Sequence, residues 1–537
     1  MNTRKRLVAM RQAQASQAAG AASYAWREAA QTGDAANPAC NLGGGQRCEH
    51  ALVDAELNRR LYAYEQTVRG RFAGIVDVLK DISAHQHERD FAARAQRLAQ
   101  DRLGYTLPHA MLDDAWVAGL DMKALHSHCI FESFQTSVAA TPADQSPWLD
   151  RMPLTAGFFA ACGYHTVDIS PCADGRLQGL LPFVFRMAPN RNVYVKAYAG
   201  AVFDVEADVI DWTHRELERL SGGIPGGESQ NYLKIAVYHY SSSHSSDHGC
   251  AAHGSNDKLA TESALGRLNE LRAAIENTYG VGAAPDVLLV GMDTDVDALR
   301  IHLPDARGDV NPYRYVETSA LYRETLGLPR DAARARIAEL VDTAGRADGW
   351  AQGDGRMREG MQALVLRRPW FSGGRACEAA RRARRAGVAV AEANLSQIEY
   401  VIQHHAGRYA VIGHDEELIC AGEAMSELQL RNLFYFAHLD TVEEGAADMD
   451  VGIKIFAGLN VRHGLPVPVL VHFHYSSRVP GARDRAVLRA KRVKAAIVAR
   501  YPALAAQGLL NCRMAVSDRD GDERCAVIEE AVADAGH

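Results

Sequence analysis

Ile235-Ala236-Val237-Tyr238-His239-Tyr240-Ser241-Ser242 is a strand-like apolar run that ends on a histidine, a tyrosine and two serines. Leu470-Val471-His472-Phe473-His474-Tyr475-Ser476-Ser477 repeats it in the second half of the chain. The order continues downstream of each copy. Arg272-Ala273-Ala274-Ile275, on a helix-like stretch, matches Lys494-Ala495-Ala496-Ile497. A strand running into Asp293-Thr294-Asp295-Val296-Asp297 matches one running into Asp518-Arg519-Asp520-Gly521-Asp522. Three matches in one order mark an ancient duplication, and each copy reads as one α/β lobe. The two lobes are expected to pack as a pseudo-dimer.

Outward from these runs, alternation of strands and helices starts near residue 151. Strands are expected at 164–169, 233–240, 287–292 and 467–473, and helices at 261–279, 330–347 and 484–501. That alternation predicts α/β structure with a mainly parallel sheet. Residues 50–150 have another texture. Leu57, Leu61, Val68, Phe72, Ile75 and Leu79 recur at spacings of three, four or seven, which is one apolar helix stripe. No catalytic signature stands in this helical domain, and His85, His87, His126 and His128 are expected to be surface or core histidines. The expected domains are a tail over 1–49, a helical domain over 50–150, one lobe over 151–393 and a second over 394–537.

A chain of 537 residues is too long for one ordinary domain. Its 47% apolar and 23% charged residues are a soluble globular balance. A net charge of -7 argues against a general nucleic-acid binder. No apolar run approaches the roughly 20 residues of a membrane span. The early run Leu7-Val8-Ala9-Met10 is too short for a secretory signal, so the chain is expected to stay inside a cell. Ten cysteines are too sparse for a disulfide scaffold. The first 27 residues carry Arg4, Lys5, Arg6, Arg11 and Arg27 and no acid. With so little apolar surface to bury, residues 1–49 read as a disordered basic tail. The tail is either a solubilising appendage or a tether that folds on an acidic partner; an organellar transit peptide is a third reading.

Cys172 lies in Asp168-Ile-Ser-Pro-Cys-Ala-Asp-Gly-Arg176, just after an expected strand. Open α/β sheets place their sites at such carboxyl ends. His239 closes another strand, and Cys250 lies in the loop over 241–254. Two thiolates and one imidazole suit Zn²⁺ and leave a fourth position for water, as catalytic rather than structural sites do. His244, His248 and His253 are rival ligands in the same loop, but His239 has the strand-end placement that His474 repeats. After His474 no cysteine occurs before Cys512, in the next expected strand. The nearest echo of Cys172 is Cys420-Ala-Gly-Glu-Ala, which lacks Asp174 and Arg176, so the second lobe reads as having lost its ligands. The Asp-rich runs are expected to be strand-end loops. A calcium loop needs Gly at position 6, where Ala298 and Glu523 stand, and Glu at position 12, where the first run has Pro304. Two other readings stay open: Cys172 as a nucleophile with His239 as its base, and a scaffold in which zinc is only structural.

The sequence resembles the carboxysomal carbonic anhydrases, diverged β-type enzymes once set apart as an ε class. The resemblance rests on residues 168–182 (DISPCADGRLQGLLP), 232–238 (YLKIAVY), 250–257 (CAAHGSND) and 311–316 (NPYRYV). Further on it rests on 394–398 (NLSQI), Arg431-Asn432-Leu433, 437–442 (AHLDTV) and 450–456 (DVGIKIF). It implies a helical N-terminal domain, a zinc lobe, and a second lobe that is degenerate and zinc-free. It implies one Zn²⁺ per chain on Cys172, His239 and Cys250 and reversible hydration of CO2 to bicarbonate. Two thiolates neutralise the charge of Zn²⁺ and weaken the acidification of its water, so the rate is expected to rise on the alkaline side. Asp174 would orient the attacking water, and Arg176 would hold Asp174 in a charge-assisted pair. The family's proton-shuttle histidine falls on His405, next to His404. The carboxysome, Rubisco and shell proteins are the implied surroundings, with the basic tail as candidate tether and a homodimer or larger assembly. One departure is an Arg-rich stretch between Leu366 and Asn394, expected to be an exposed insertion.

Overall fold

A computed structural model describes residues 50–113, 115–140, 153–177, 180–187, 192–220, 231–242, 249–280, 283–305, 308–345, 373–404, 418–422, 434–435, 442–461, 464–518 and 525–528. The tail over 1–49, His244, His248 and His405 lie outside the described residues. The chain forms two compact units. One takes in the described residues of 50–59, 153–173 and 180–404; the other takes in those of 60–140, 174–177 and 418–528.

The N-terminal segment is helical: α1 Ala55–Ala73, α2 Ile75–Ala84, α3 Phe91–Leu103 and α4 Met122–Ala140. The stripe read from the sequence is split at Gly74, between α1 and α2. In α3, Phe91, Ala95, Ala99 and Leu103 are buried one turn apart. The helix stops at Gly104, whose φ of 85° is left-handed and whose N–H closes on the carbonyls of Ala99 and Gln100. His126 is buried, while His85 pairs with Glu88 on the surface.

In the first unit a six-stranded sheet contains β1 Tyr164–Pro171, β2 Val193–Val195, β3 Asn231–Tyr240, β4 Asp286–Asp293, β5 Leu299–His302 and β6 Val316–Glu317. Their order is β2-β1-β3-β4-β5-β6. β1 through β4 are parallel, and β5 and β6 run antiparallel at the far edge. Every residue of β1 is buried, as both faces of a covered parallel sheet require. A lysine interrupts this apolar texture. Lys234, in the middle of β3, is fully buried. Its Nζ donates to Asp168 at 2.9 Å, to Ser170 at 2.8 Å, and to Asp208 of α5 Val205–Leu220. Tyr232 donates its hydroxyl to the same oxygen of Asp168 at 2.8 Å. Burial lowers the Lys234 ammonium, but the two carboxylates outweigh it and raise it. Burial pushes Asp208 up to about 7, against the pull of Lys234. Leaving one member of such a buried pair alone costs about 3–5 kcal/mol, so the network pins β1 and β3 in register. Helix α6, Asp257–Tyr279, carries the chain from β3 to β4.

The Arg-rich stretch differs from its expected form. Its described part lies in one long helix, α7 Gly373–His404, which also runs through the expected boundary at 393/394. Ala380, Ala383, Ala386, Ala389 and Val390 are buried in the first unit, so one face is core. Gly387 lies so close to Leu303 that a Cβ would approach its Cδ2 to 2.7 Å. Two of its arginines are themselves mostly covered and paired. Arg382 pairs with Asp286 at 3.1 Å and Arg384 with Asp342 at 3.0 Å. Farther along, Gln397 donates to Asp297 at 2.8 Å and Tyr322 donates to Glu399 at 2.8 Å.

The second unit holds β7 Leu418–Gly422, β8 Phe434–Tyr435, β9 Val467–Tyr475, β10 Leu510–Asp518 and β11 Ala526–Ile528, in the order β11-β10-β9-β7-β8. Helix α8, Ala482–Arg500, connects β9 to β10. Leu470 and Ala515 of this sheet share one core with Ile75, Leu79, Ala95, Phe134 and other residues of the N-terminal helices. Strand order and sense match the first five strands of the other sheet: β7 and β8, β7 and β9, and β9 and β10 are parallel, and β10 and β11 antiparallel. Register matches as well. Tyr240 lies opposite Asp293, and Tyr475 opposite Asp518. Ser242 donates its N–H to Asp293 at 3.3 Å, and Ser477 its N–H to Asp518 at 3.1 Å. Among the described residues no helix is long and apolar enough to cross a membrane.

Candidate metal centre

The backbone delivers three side chains to the carboxyl end of the first sheet. Cys172 directly follows β1, and its N–H donates to Val237 O of β3 at 2.9 Å. His239 is the penultimate residue of β3, opposite Met292 of β4. Cys250 opens a tight turn, where the N–H groups of His253 and Ser255 both donate to Cys250 O at 2.9 Å. Helix α6 then starts, capped by the side chain of Asn256, which accepts from the Leu259 N–H at 3.0 Å. Adjacent parallel strands thus bring Cys172 and His239 together, and a loop returns Cys250 to them.

The two sulfurs lie 3.9 Å apart, nearly twice a disulfide length. One donor atom from each of Cys172, His239 and Cys250 lies within 4.8 Å of the others. All three residues are buried, at 3%, 1% and 2% exposure. Thiolates at about 2.3 Å from a tetrahedral ion stand about 3.8 Å apart, so the observed spacing fits one ion shared by both sulfurs. Soft sulfur with imidazole suits zinc and other thiophilic ions better than calcium or magnesium. The group could hold a metal. A nucleophile–base pair needs one thiol and leaves the convergence of the second unexplained.

Asp174 and Arg176 follow Cys172 by two and four residues. Arg176 Nε donates to Asp174 Oδ1 at 3.0 Å, its Nη2 donates to Oδ2 at 2.8 Å, and its backbone N–H donates to Oδ1 at 2.9 Å. This is a fork-to-fork pair, and Arg176 is only 3% exposed. His253, a rival ligand, directs its Nε2 to Gly200 O at 3.0 Å. The side chain of His404 lies outside the described residues.

In the second unit the match between Cys420 and Cys172 does not survive register. Cys420 lies opposite Leu470, the level that Ile169 holds opposite Ile235, three residues before Cys172. Cys512 lies opposite Val469, five residues before His474, or about 16 Å along a strand. The Asp-rich run after β4 forms the expected strand-end turn, in which Asp295 accepts from the Ser241 hydroxyl at 2.9 Å. Two features escaped the sequence reading. The Lys234 network was signalled only by a lysine inside an apolar strand. Asp257 lies in the quoted CAAHGSND stretch; burial raises its carboxyl, against the pull of Arg300 and of His239.

Three family models match the chain. The catalytic domain of carboxysome shell carbonic anhydrase matches residues 154–368, its C-terminal domain 415–532 and its N-terminal domain 50–141. The chain is 43% identical over 488 residues to the carboxysome shell carbonic anhydrase of Halothiobacillus neapolitanus, covering 90% of this chain and 91% of that protein. It is 42% identical over 501 residues to that of Prochlorococcus marinus strain MIT 9313, covering 91% and 90%. It is 36% identical over 492 residues to that of Prochlorococcus marinus subsp. pastoris, covering 89% of each.

Proposed function

Because the chain belongs to the carboxysome shell carbonic anhydrase family, we propose that it hydrates CO2 reversibly inside the carboxysome at one zinc ion held by Cys172, His239 and Cys250. The convergence of three buried donor atoms within 4.8 Å carries the reading. A bound zinc ion supplies the acidity that turns water into a nucleophile near neutral pH. Cys172, His239 and Cys250 would hold the ion, the two thiolates would balance its charge, and with three protein donors among the described residues it would keep a position for water. Asp174 accepts a hydrogen bond from the attacking water and orients its lone pair toward CO2. Arg176 occupies both carboxylate oxygens of Asp174 and keeps them turned to that task. The reaction releases one proton for each bicarbonate formed, and His405 is the candidate to carry it away.

Zinc removal tests the metal. The purified chain should contain about one zinc. A strong chelator should abolish hydration, and zinc should restore it. Full hydration by metal-free protein would end the proposal.

The second lobe is a degenerate, zinc-free copy of the first. Support comes from the shared strand order and from Tyr475 and Asp518 standing where Tyr240 and Asp293 stand. A second tightly bound zinc per chain would count against it. The chain therefore reads as a helical domain over 50–150, a catalytic lobe and its copy, assembled as a homodimer or larger. It supplies CO2 to Rubisco. The basic tail over 1–49 tethers it to an acidic partner surface of the carboxysome, Rubisco or shell. Deleting the tail should spare hydration and abolish co-purification with carboxysomes; undiminished recruitment would exclude this role.

A further inference from the structure

The geometry points to His253 as a positioning residue that clamps the Cys250 turn to the Cys172 loop and so sets the metal affinity. This inference rests on the metal-centre reading above. His253 is 8% exposed, and its Nε2 lies 3.0 Å from Gly200 O. A carbonyl can only accept, so Nε2 carries the proton and donates it.

Gly200 is shaped for this contact. Its φ of 70° is left-handed, and a Cβ there would lie 2.6 Å from His253 Nε2 and 3.1 Å from Ala252 Cβ. Only glycine gives both the conformation and the close approach. The turn that carries Gly200 is bonded to both neighbours of Cys172: Tyr198 N–H donates to Pro171 O at 2.9 Å, and Ala173 N–H donates to Tyr198 O at 3.0 Å. On the other side, His253 N–H donates to Cys250 O at 2.9 Å. A continuous path therefore runs from Cys172 through Tyr198, Gly200 and His253 to Cys250. A second tie, Cys172 N–H to Val237 O, fixes Cys172 against the strand that carries His239. The clamp is what holds the sulfurs at the 3.9 Å that a shared ion needs. Partners of this kind behind metal ligands typically contribute 10–100-fold in affinity.

The test measures Zn²⁺ affinity of the full chain by competition with a chromophoric chelator. Wild type and Cys172→Ala serve as references, and thermal melting of the zinc-free proteins serves as the stability control. His253→Ala should weaken zinc binding at least about 10-fold with little change in zinc-free melting. His253→Gln, whose amide can donate to the same carbonyl, should recover most of the loss. Gly200→Ala attacks the contact from the other side and should also weaken zinc binding; it decides the matter if His253→Ala does not fold. Zinc held by His253→Ala or Gly200→Ala as tightly as by wild type overturns the inference, and so does equal loss in the Ala and Gln variants. Failure of wild type itself to bind zinc would instead overturn the metal-centre reading.

Discussion

Cys172→Ala should fold, carry no stoichiometric zinc and hydrate CO2 no faster than background. Cys172 supplies one of the three candidate donors, and its loss would leave one thiolate and one imidazole, too few to hold zinc against buffer and chelator. The substitution removes a single sulfur from a side chain that is 3% exposed, so the local packing cost is about 1 kcal/mol. Metal analysis, circular dichroism and stopped-flow hydration of the same preparation separate the effects. A folded variant that keeps zinc and its hydration rate would remove Cys172 from the site. One that keeps zinc but loses hydration would move Cys172 from ligand to catalytic group.

Arg176→Ala should lose hydration by roughly 100-fold or more while keeping about one zinc per chain. Three donor–acceptor contacts from Arg176, at 2.8 to 3.0 Å, fix the plane of the Asp174 carboxylate. Without the guanidinium two of them vanish. In the proposed mechanism Asp174 would then be free to turn, to lose its alignment on the attacking water, or to enter the ligand set and exclude water. Arg176→Lys should recover little, because an ammonium cannot engage both oxygens as a planar fork does. Loss of zinc together with activity would show that the pair supports the fold of the ligand loop instead. Unchanged hydration would reduce it to a structural ion pair.

Sequence reading reached furthest where local pattern and chemistry agree. The runs ending at His239 and His474 were recognisable as strands, and they form β3 and β9, with helices α6 and α8 after them. Cys172, His239 and Cys250 stood out because two soft ligands and an imidazole followed expected strand ends. The Arg-rich segment misled for an identifiable reason. Its charge suggested exposure, but Ala380, Ala383 and Ala386 recur at helical spacing and are buried, while the arginine heads extend to Asp286 and Asp342. Cys420 misled because two shared letters, Cys-Ala, say nothing about which residue lies opposite Leu470.

By itself the amino-acid order determined the α/β pattern, the helical N-terminal segment and the three candidate ligands. Periodicity and side-chain chemistry are local properties, written along the chain. The tertiary structure alone decided that two sulfurs 78 positions apart come within 3.9 Å, that Lys234 answers two carboxylates in the dark of the sheet, and that Gly200 meets His253. Those contacts depend on strand register and on close packing between distant segments, which backbone hydrogen bonds and excluded volume settle only when the whole sheet forms.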